Sequence, residues 1–101
     1  MAFAIVLLTL LHGVVRIGPT TPVCRVGQPC DKPAKRVALR FTSGARSVTT
    51  TTDAFGRYRV SLGPGTWTVH ASLGRSIRPA QFFLPNVRST VRNFAIDTGI
   101  R

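Results

Sequence analysis

An antiparallel β-sandwich of about seven strands is the fold that this sequence predicts. Apolar and polar residues alternate with a period of two in several short segments, and turn residues recur at intervals of about ten residues. No helical periodicity is convincing after the first eleven residues. A chain of 101 residues has room for one domain, so we expect a single hydrophobic core between two sheets.

The alternating segments identify the residues that should fill this core. In 36–41 apolar residues alternate with two arginines, and 57–62 and 66–71 repeat the pattern. Successive side chains of a strand point to opposite faces, so one set is buried and the other is solvated. Phe94 and Ile96 mark a last strand. We therefore expect these residues in the core: Val37, Leu39, Phe41, Tyr58, Val60, Leu62, Trp67, Val69, Phe94 and Ile96.

Glycine, proline and aspartate stand where strands of this length must reverse. The first strand ends at Gly18-Pro19, and further reversals are expected at 42–44 and 63–65. At Asp53–Gly56 the aspartate can accept a hydrogen bond from the backbone two residues on, and the glycine accommodates the reversed chain. These turns join neighbouring strands in a sandwich.

The adjacent pair Phe82-Phe83 leaves two interpretations open. Neighbouring strand residues point to opposite faces, so one ring should face outward or lie under a loop. If one ring is exposed, it is the best apolar contact point in the chain. The alternative is that a bulge or a strand end buries both rings.

The apolar N-terminus, MAFAIVLLTLL, is a candidate export signal. It is too short for a transmembrane helix, which needs about 20 residues, but its length fits the apolar region of a signal peptide. A preceding Lys or Arg and a small-x-small cleavage site are both missing. We predict a truncated signal peptide at 1–11 and one domain at 12–101. The alternative is that 3–10 extends the first strand.

Cys24 and Cys30 are separated by five residues in a proline-rich segment. Zinc knuckles use about two to four intervening residues and two further ligands, so this spacing does not predict a metal site. Gly27 and Pro29 allow a tight reversal that brings the sulfur atoms within bonding range. We predict a local disulfide and hence a secreted, extracytoplasmic protein. The alternative is two unpaired buried thiols.

Two segments resemble a known family. TDAFGRYRV at Thr52–Val60 matches the pattern T-D-x-x-G-x-[FY]-x-[FV], and LGPGTWTV at Leu62–Val69 matches L-x-P-G-x-[YW]-x-[LV]. These patterns resemble the carboxypeptidase-regulatory-like domains, a branch of the transthyretin-like (prealbumin-like) sandwiches. Residues 13–30 are similar to a secreted bacterial, actinobacterial version. The resemblance covers residues 12–97 and implies a seven-stranded, Greek-key sandwich.

The resemblance implies a non-catalytic module with a structural or interaction role. One branch of the transthyretin-like proteins, the hydroxyisourate hydrolases, is enzymatic, and a small hydrolase of that type is the alternative function. That branch uses several histidines, an arginine and a C-terminal Tyr-Arg-Gly-Ser, whereas this chain has only His12 and His70 and ends at Ile100-Arg101. Three scattered acidic residues do not predict carboxylate catalysis or a calcium site. We expect no enzyme activity, no cofactor and no metal.

Positive charge dominates the composition, with 14 Lys and Arg against 3 Asp and Glu and a formal net charge of +11. Such a field attracts acidic surfaces. Arg36, Arg40, Arg57 and Arg59 take outward positions on two predicted strands, so they could form one basic face if those strands are near neighbours. We predict that this face binds anionic cell-envelope polymers or lipid head groups. Nucleic acid is not an expected partner, because outward aromatic residues do not interleave with these cations.

Overall fold

The computed structural model describes residues 8–19, 31–74 and 76–99, and these contain ten β-strands and no helix. The all-β prediction is confirmed. The strands are β1 Thr9–Gly18, β2 Lys32–Pro33, β3 Ala38–Ser43, β4 Arg46–Thr51, β5 Arg57–Leu62, β6 Gly65–Ala71, β7 Ser76–Arg78, β8 Gln81–Leu84, β9 Ser89–Val91 and β10 Phe94–Asp97.

The strands form two packed sheets. A four-stranded sheet has the order β4-β3-β6-β8, and each neighbouring pair in it is antiparallel. A six-stranded sheet is built around the ten-residue strand β1. The first half of β1 pairs with β5 and β9, and the second half pairs with β2 and β10, with β7 beside β10.

The six-stranded sheet is mixed, which differs from the purely antiparallel sandwich expected from the sequence. β9 and β10 both run parallel to β1, with Leu11 opposite Thr90 and Val15 opposite Phe94. Alternation reports which side of a strand is buried, but it carries no information on the direction of the partner strand. The antiparallel prediction is therefore right for the four-stranded sheet and wrong for the pairings of β1 with β9 and β10.

Gly13 lies where β1 changes partners. A Cβ at this position would overlap the carbonyl group of Arg92, so only glycine allows the two backbones to approach so closely. At the next residue of β1, the Val14 N–H donates to Asn93 Oδ1 at 2.9 Å. This side-chain bond takes the place of a ladder bond of β1 in the gap between its two partners, β9 and β10.

All ten residues predicted for the core are buried, each at 9% relative exposure or less. Phe41 lies at the centre of an aromatic cluster, with ring centroids 6.1 Å from those of Tyr58, Phe82 and Phe94. Each buried side-chain N or O atom of the described residues has a hydrogen-bond partner, as where Trp67 Nε1 donates to the Gly63 carbonyl at 2.8 Å. The core also contains residues that were not on the predicted list: Leu11, Val15, Ile17, Ala34, Ile77, Phe82 and Leu84.

The turn predicted at Asp53–Gly56 has the expected chemistry. Asp53 Oδ1 accepts hydrogen bonds from the backbone N–H groups of Phe55 at 2.8 Å and Arg57 at 2.9 Å. Gly56 has φ +77°, and a Cβ there would meet the Val15 carbonyl oxygen at 2.6 Å. Both the left-handed backbone and the close approach of β1 therefore require glycine at this position.

The structure separates the two rings of Phe82-Phe83. Phe82 is 5% exposed and packs in the aromatic cluster, whereas Phe83 is 64% exposed on the outer side of the four-stranded sheet. The strand is regular at this point, with Phe83 opposite Thr66 and Phe82 opposite Trp67. The outward-facing alternative is thus the one adopted.

Two predictions fall wholly or partly on residues that the structure does not describe. Thr9 to Leu11 belong to β1, and Thr9 and Leu11 are fully buried, while 1–7 lie outside the described residues. The export signal at 1–11 stays a prediction. Cys24 and Cys30 also lie outside the described residues, so their disulfide stays a prediction.

Candidate anion-binding groove

The four arginines predicted to bind polyanions do not share one sheet face. Arg57 and Arg59 lie on the outer side of β5 in the six-stranded sheet. Arg40 lies on the outer side of β3 in the four-stranded sheet, and Arg36 stands in the preceding turn with φ +52°. The condition for a single basic face, that the two strands are neighbours, is therefore not met.

Arg57 and Arg59 line an open groove along the outer side of β1 and β5. This β1–β5 groove has a volume of about 910 Å³, and its polar lining includes His12, Thr50, Thr51, Asp53, Arg57, Arg59 and Asn93. Its apolar lining includes Leu10, Val14 and Val91. The groove therefore presents cations and hydrogen-bonding groups over an aliphatic base.

Strand register determines which side chains meet in this groove. His12 lies opposite Arg59 on one side and Val91 on the other, and Val14 lies opposite Arg57. Leu11 and Val15 point into the core, so the even-numbered residues of β1 point outward. A histidine and two arginines are thus brought to adjacent positions on two strands.

The wall of the groove is completed by the edge of the other sheet. The Thr50 hydroxyl on β4 donates to the carbonyl of Arg59 at 3.1 Å, which joins the edges of the two sheets. Thr51 is exposed beside this contact, and Asn93 uses its Oδ1 to accept from Val14. The amide NH₂ of Asn93 and the hydroxyl of Thr51 can therefore contribute hydrogen bonds to a bound chain.

The two arginines of the groove have different electrostatic surroundings. Arg57 Nε lies 3.4 Å from Asp53 Oδ2, and its guanidinium stacks 5.0 Å from the centroid of the Phe55 ring. Arg59 is exposed and makes no ion pair with any residue that the structure describes. Arg59 is therefore the more available cation, while Arg57 is held in place by an exposed and hence weak pair.

Asp53 remains an anion over most of the pH range because its surroundings favour the charged form. The backbone N–H of Arg57 donates to the carboxylate and, with a smaller contribution from the N–H of Phe55, holds the pKa of Asp53 below its usual value. Among the described lining residues this is the one carboxylate, set against the guanidinium groups of Arg57 and Arg59. The groove therefore keeps an excess of positive charge.

Positive charge continues along the outer side of the six-stranded sheet. Arg16 on β1 and Arg78 on β7 lie on either side of Ala95, in register across three strands. Arg16 Nη2 pairs with Asp31 Oδ1 at 2.8 Å. The alternation of Arg16 with Val15 and Ile17 indicates its outward position, but nothing in the sequence indicates that Arg78 lies nearby, because β7 reaches this sheet through β10.

The two histidines lie on different sides of the molecule. His12 is on the outer side of the six-stranded sheet, and His70 is on the outer side of the four-stranded sheet, opposite Arg40. Over residues 8–19, 31–74 and 76–99, no three His, Cys, Asp or Glu side chains come together in a way that could hold a metal ion. The same residues include no helix with the length and apolar character needed to span a bilayer.

The comparisons with known proteins leave the family unassigned. No protein-family model, no curated protein and no solved structure matches this chain.

Proposed function

We propose that this protein is a non-catalytic, secreted module that adheres to anionic cell-envelope polymers through the β1–β5 groove. The observation that carries the proposal is the position of Arg57 and Arg59 beside His12 in an open groove with a single carboxylate. An extended polyanion could lie along such a groove and contact several donors in succession. Lipid head groups are the competing ligand.

We also propose that the fold is a transthyretin-like, Greek-key sandwich of the carboxypeptidase-regulatory-like kind. Seven of the described strands have four or more residues, and β2, β7 and β9 are shorter. The residues that carry the resemblance take defined structural roles: Asp53 and Gly56 form a turn, and Trp67 is buried. These roles support the resemblance, and they are observed in this structure itself, without reference to any related protein.

The position of the histidines supports a non-catalytic role over the small hydrolase. A hydrolytic site of that kind requires histidine and arginine side chains to converge in one pocket. His12 and His70 point away from opposite sides of the sandwich, so they cannot act on one substrate. The exposed guanidinium group of Arg59 instead suits ionic binding.

Two charge-reversal variants separate binding in the groove from attraction by the whole protein. R57E/R59E removes both groove cations, and R36E/R40E reverses two arginines outside the groove, with the same change in net charge. Retention on purified envelope polymer and on phosphatidylglycerol vesicles is measured across a salt series. Circular dichroism and thermal melting confirm that both variants are folded.

We expect wild-type protein to bind the polymer at low salt and to lose binding steeply as the Debye length falls from about 10 Å at 0.1 M to about 3 Å at 1 M. R57E/R59E should lose most of this retention, and R36E/R40E should keep most of it. Equal losses in the two variants would assign binding to the overall field and reject the groove. Preferential retention on vesicles would favour lipid, and no retention at low salt would reject both.

A further inference from the structure

A second cavity lies at one end of the sandwich, where the two sheets separate. Ile17 comes from β1, Val37 precedes β3, and Leu73 belongs to the loop between β6 and β7. Together with Lys32, Pro33, Ala34, Lys35, Gly74 and Thr98 they line an opening of about 470 Å³, here called the sandwich mouth. This volume is within the range of about 300–1,000 Å³ found for small-molecule sites.

The base of the sandwich mouth is aliphatic. Ile17, Ala34 and Val37 are 6%, 1% and 2% exposed, so the opening ends on the hydrophobic core. Leu73 stands at the rim and is 55% exposed, although the adjacent Gly74 packs so closely on Ile96 that a Cβ would collide with it. Gly74 is thus packed against the core while the Leu73 side chain remains in water. A bound apolar group would remove that side chain from water, which is favourable.

The charged residues of the sandwich mouth are both cations. Lys32 and Lys35 line it, and neither forms an ion pair with a described residue. Among the described residues no acidic side chain lines the opening, and Asp31, the neighbour of Lys32, pairs with Arg16 at 2.8 Å. Lysine carries a compact charge on a flexible aliphatic stem, so both ammonium groups can reach a negative group at the rim.

The backbone around the sandwich mouth is held by contacts of its own. The Thr98 N–H donates to the Gly18 carbonyl at 2.9 Å, and the Thr98 hydroxyl donates to the Pro19 carbonyl at 2.8 Å. On the opposite side, Thr52 links Val37 to Ala34, accepting from the Val37 N–H at 2.8 Å and donating to the Ala34 carbonyl at 2.5 Å. A cavity between two such fixed sides is preformed, which lowers the entropic cost of binding.

We propose that the sandwich mouth binds a small amphiphile with an anionic head group and an aliphatic body. The body would occupy the space above Ile17 and Val37 under Leu73, and the head group would meet Lys32 and Lys35 at the rim. The site is independent of the β1–β5 groove. Ile17 points to the inner side of β1, whereas His12 and Val14 of the groove point outward.

The proposal is tested with three probes: dodecanoate, which has both parts of the ligand, dodecanol, which lacks the charge, and acetate, which lacks the body. Binding is followed by calorimetry and by amide chemical shifts in ¹⁵N-labelled protein. We expect dodecanoate to bind with shifts centred on Val37 and Leu73. Dodecanol should bind about tenfold more weakly, as expected for the loss of two partly exposed ion pairs, and acetate should not bind measurably.

Three variants sharpen the result. K32E/K35E should remove the preference for dodecanoate over dodecanol, and Leu73→Ser should weaken the binding of both. R57E/R59E should bind dodecanoate like the wild type, so this proposal can fail or succeed separately from polymer binding in the groove. Absence of dodecanoate binding, equal affinity for dodecanol, or shifts centred on His12 and Val91 would overturn it.

Discussion

The outer faces of the two sheets differ although their inner faces obey the same pattern. The outer face of the four-stranded sheet is rich in hydroxyl groups and includes the exposed phenyl ring of Phe83. Its outward residues include Thr42, Ser47, Thr49, Thr51, Thr66 and Thr68, with Arg40 and His70. The outer face of the six-stranded sheet combines arginines with aliphatic residues and is bordered by Asp31 and Asp53.

This difference shows that burial in the core constrains the residues of the inner faces but not those of the outer faces. Apolar residues on the inner faces bury against each other, and almost any apolar residue of suitable size satisfies that requirement. The outer faces bear no such constraint, so their chemistry is free to serve a partner. Threonines are favourable on a solvated β-sheet, as on the outer face of the four-stranded sheet. On the outer face of the six-stranded sheet, the arginines along the β1–β5 groove concentrate positive charge.

The largest effect should come from the core that both sheets share. Phe41→Ala removes the ring that contacts Tyr58, Phe82 and Phe94, and we expect a loss of about 3–5 kcal/mol in the free energy of unfolding. Phe83→Ala is the matched change on the outer face of the same sheet and should cost no more than about 0.5 kcal/mol. Urea denaturation measures both. Similar losses in the two variants would contradict the assignment of inner and outer sides.

A smaller loss of stability should result from replacing a glycine, and it should be larger in the six-stranded sheet than in the four-stranded sheet. Gly13→Ala places a Cβ against the Arg92 carbonyl at the crossing of the six-stranded sheet, and we expect a cost of about 2–3 kcal/mol. Gly44→Ala is the control in the β3–β4 turn: nothing lies within 4 Å, so it carries only left-handed strain of about 1–2 kcal/mol. Hydrogen exchange should show the loss of protection in β1 and β9 for Gly13→Ala alone. Equal protection of these strands in both variants would refute the role given to Gly13.

The smallest effect concerns pH and the acids at the border of the six-stranded sheet. The pKa of Asp53 is lowered in the folded protein, chiefly by the backbone N–H of Arg57. A carboxyl whose folded pKa is lowered stabilises the protein above its unfolded pKa, and this contribution disappears as pH falls through the folded pKa. We therefore expect wild-type stability to fall below about pH 4 more than that of Asp53→Asn. Thermal melting between neutral pH and pH 2 measures the difference, and parallel curves would contradict it.

The sequence predicts those parts of the structure that depend on local patterns. Alternation identifies Phe41 and Trp67 as core residues, and the chemistry of Asp53 and Gly56 identifies their turn. Arg36 was expected on a strand, but it lies in a turn with left-handed backbone, where the local pattern of 36–41 no longer applies. The alternating pattern begins at Arg36, but strand β3 begins only at Ala38. Alternation therefore identifies the buried residues of this segment but not the residue at which the strand starts.

The composition of the groove depends on pairings between distant parts of the chain. His12 meets Arg59 because β1 and β5 are in register, and Arg78 approaches Arg16 only through Ala95 on an intervening strand. Such pairings depend on the packing of the whole sandwich, which periodicity does not describe. The sequence thus identified both cations of the described groove lining, Arg57 and Arg59, but grouped them with Arg40, which lies on the other sheet.

The pairing of β1 also determines when this protein can fold. Val15 is opposite Phe94, and Leu10 is opposite Ser89, so the first strand needs the last ones as partners. During synthesis at about 5–20 residues per second, β1 therefore lacks these partners until β9 and β10 have been made. Contacts between the two ends of a chain also make folding slow, because the loop between them must close first. The native six-stranded sheet therefore cannot be complete before β9 and β10 have been synthesised.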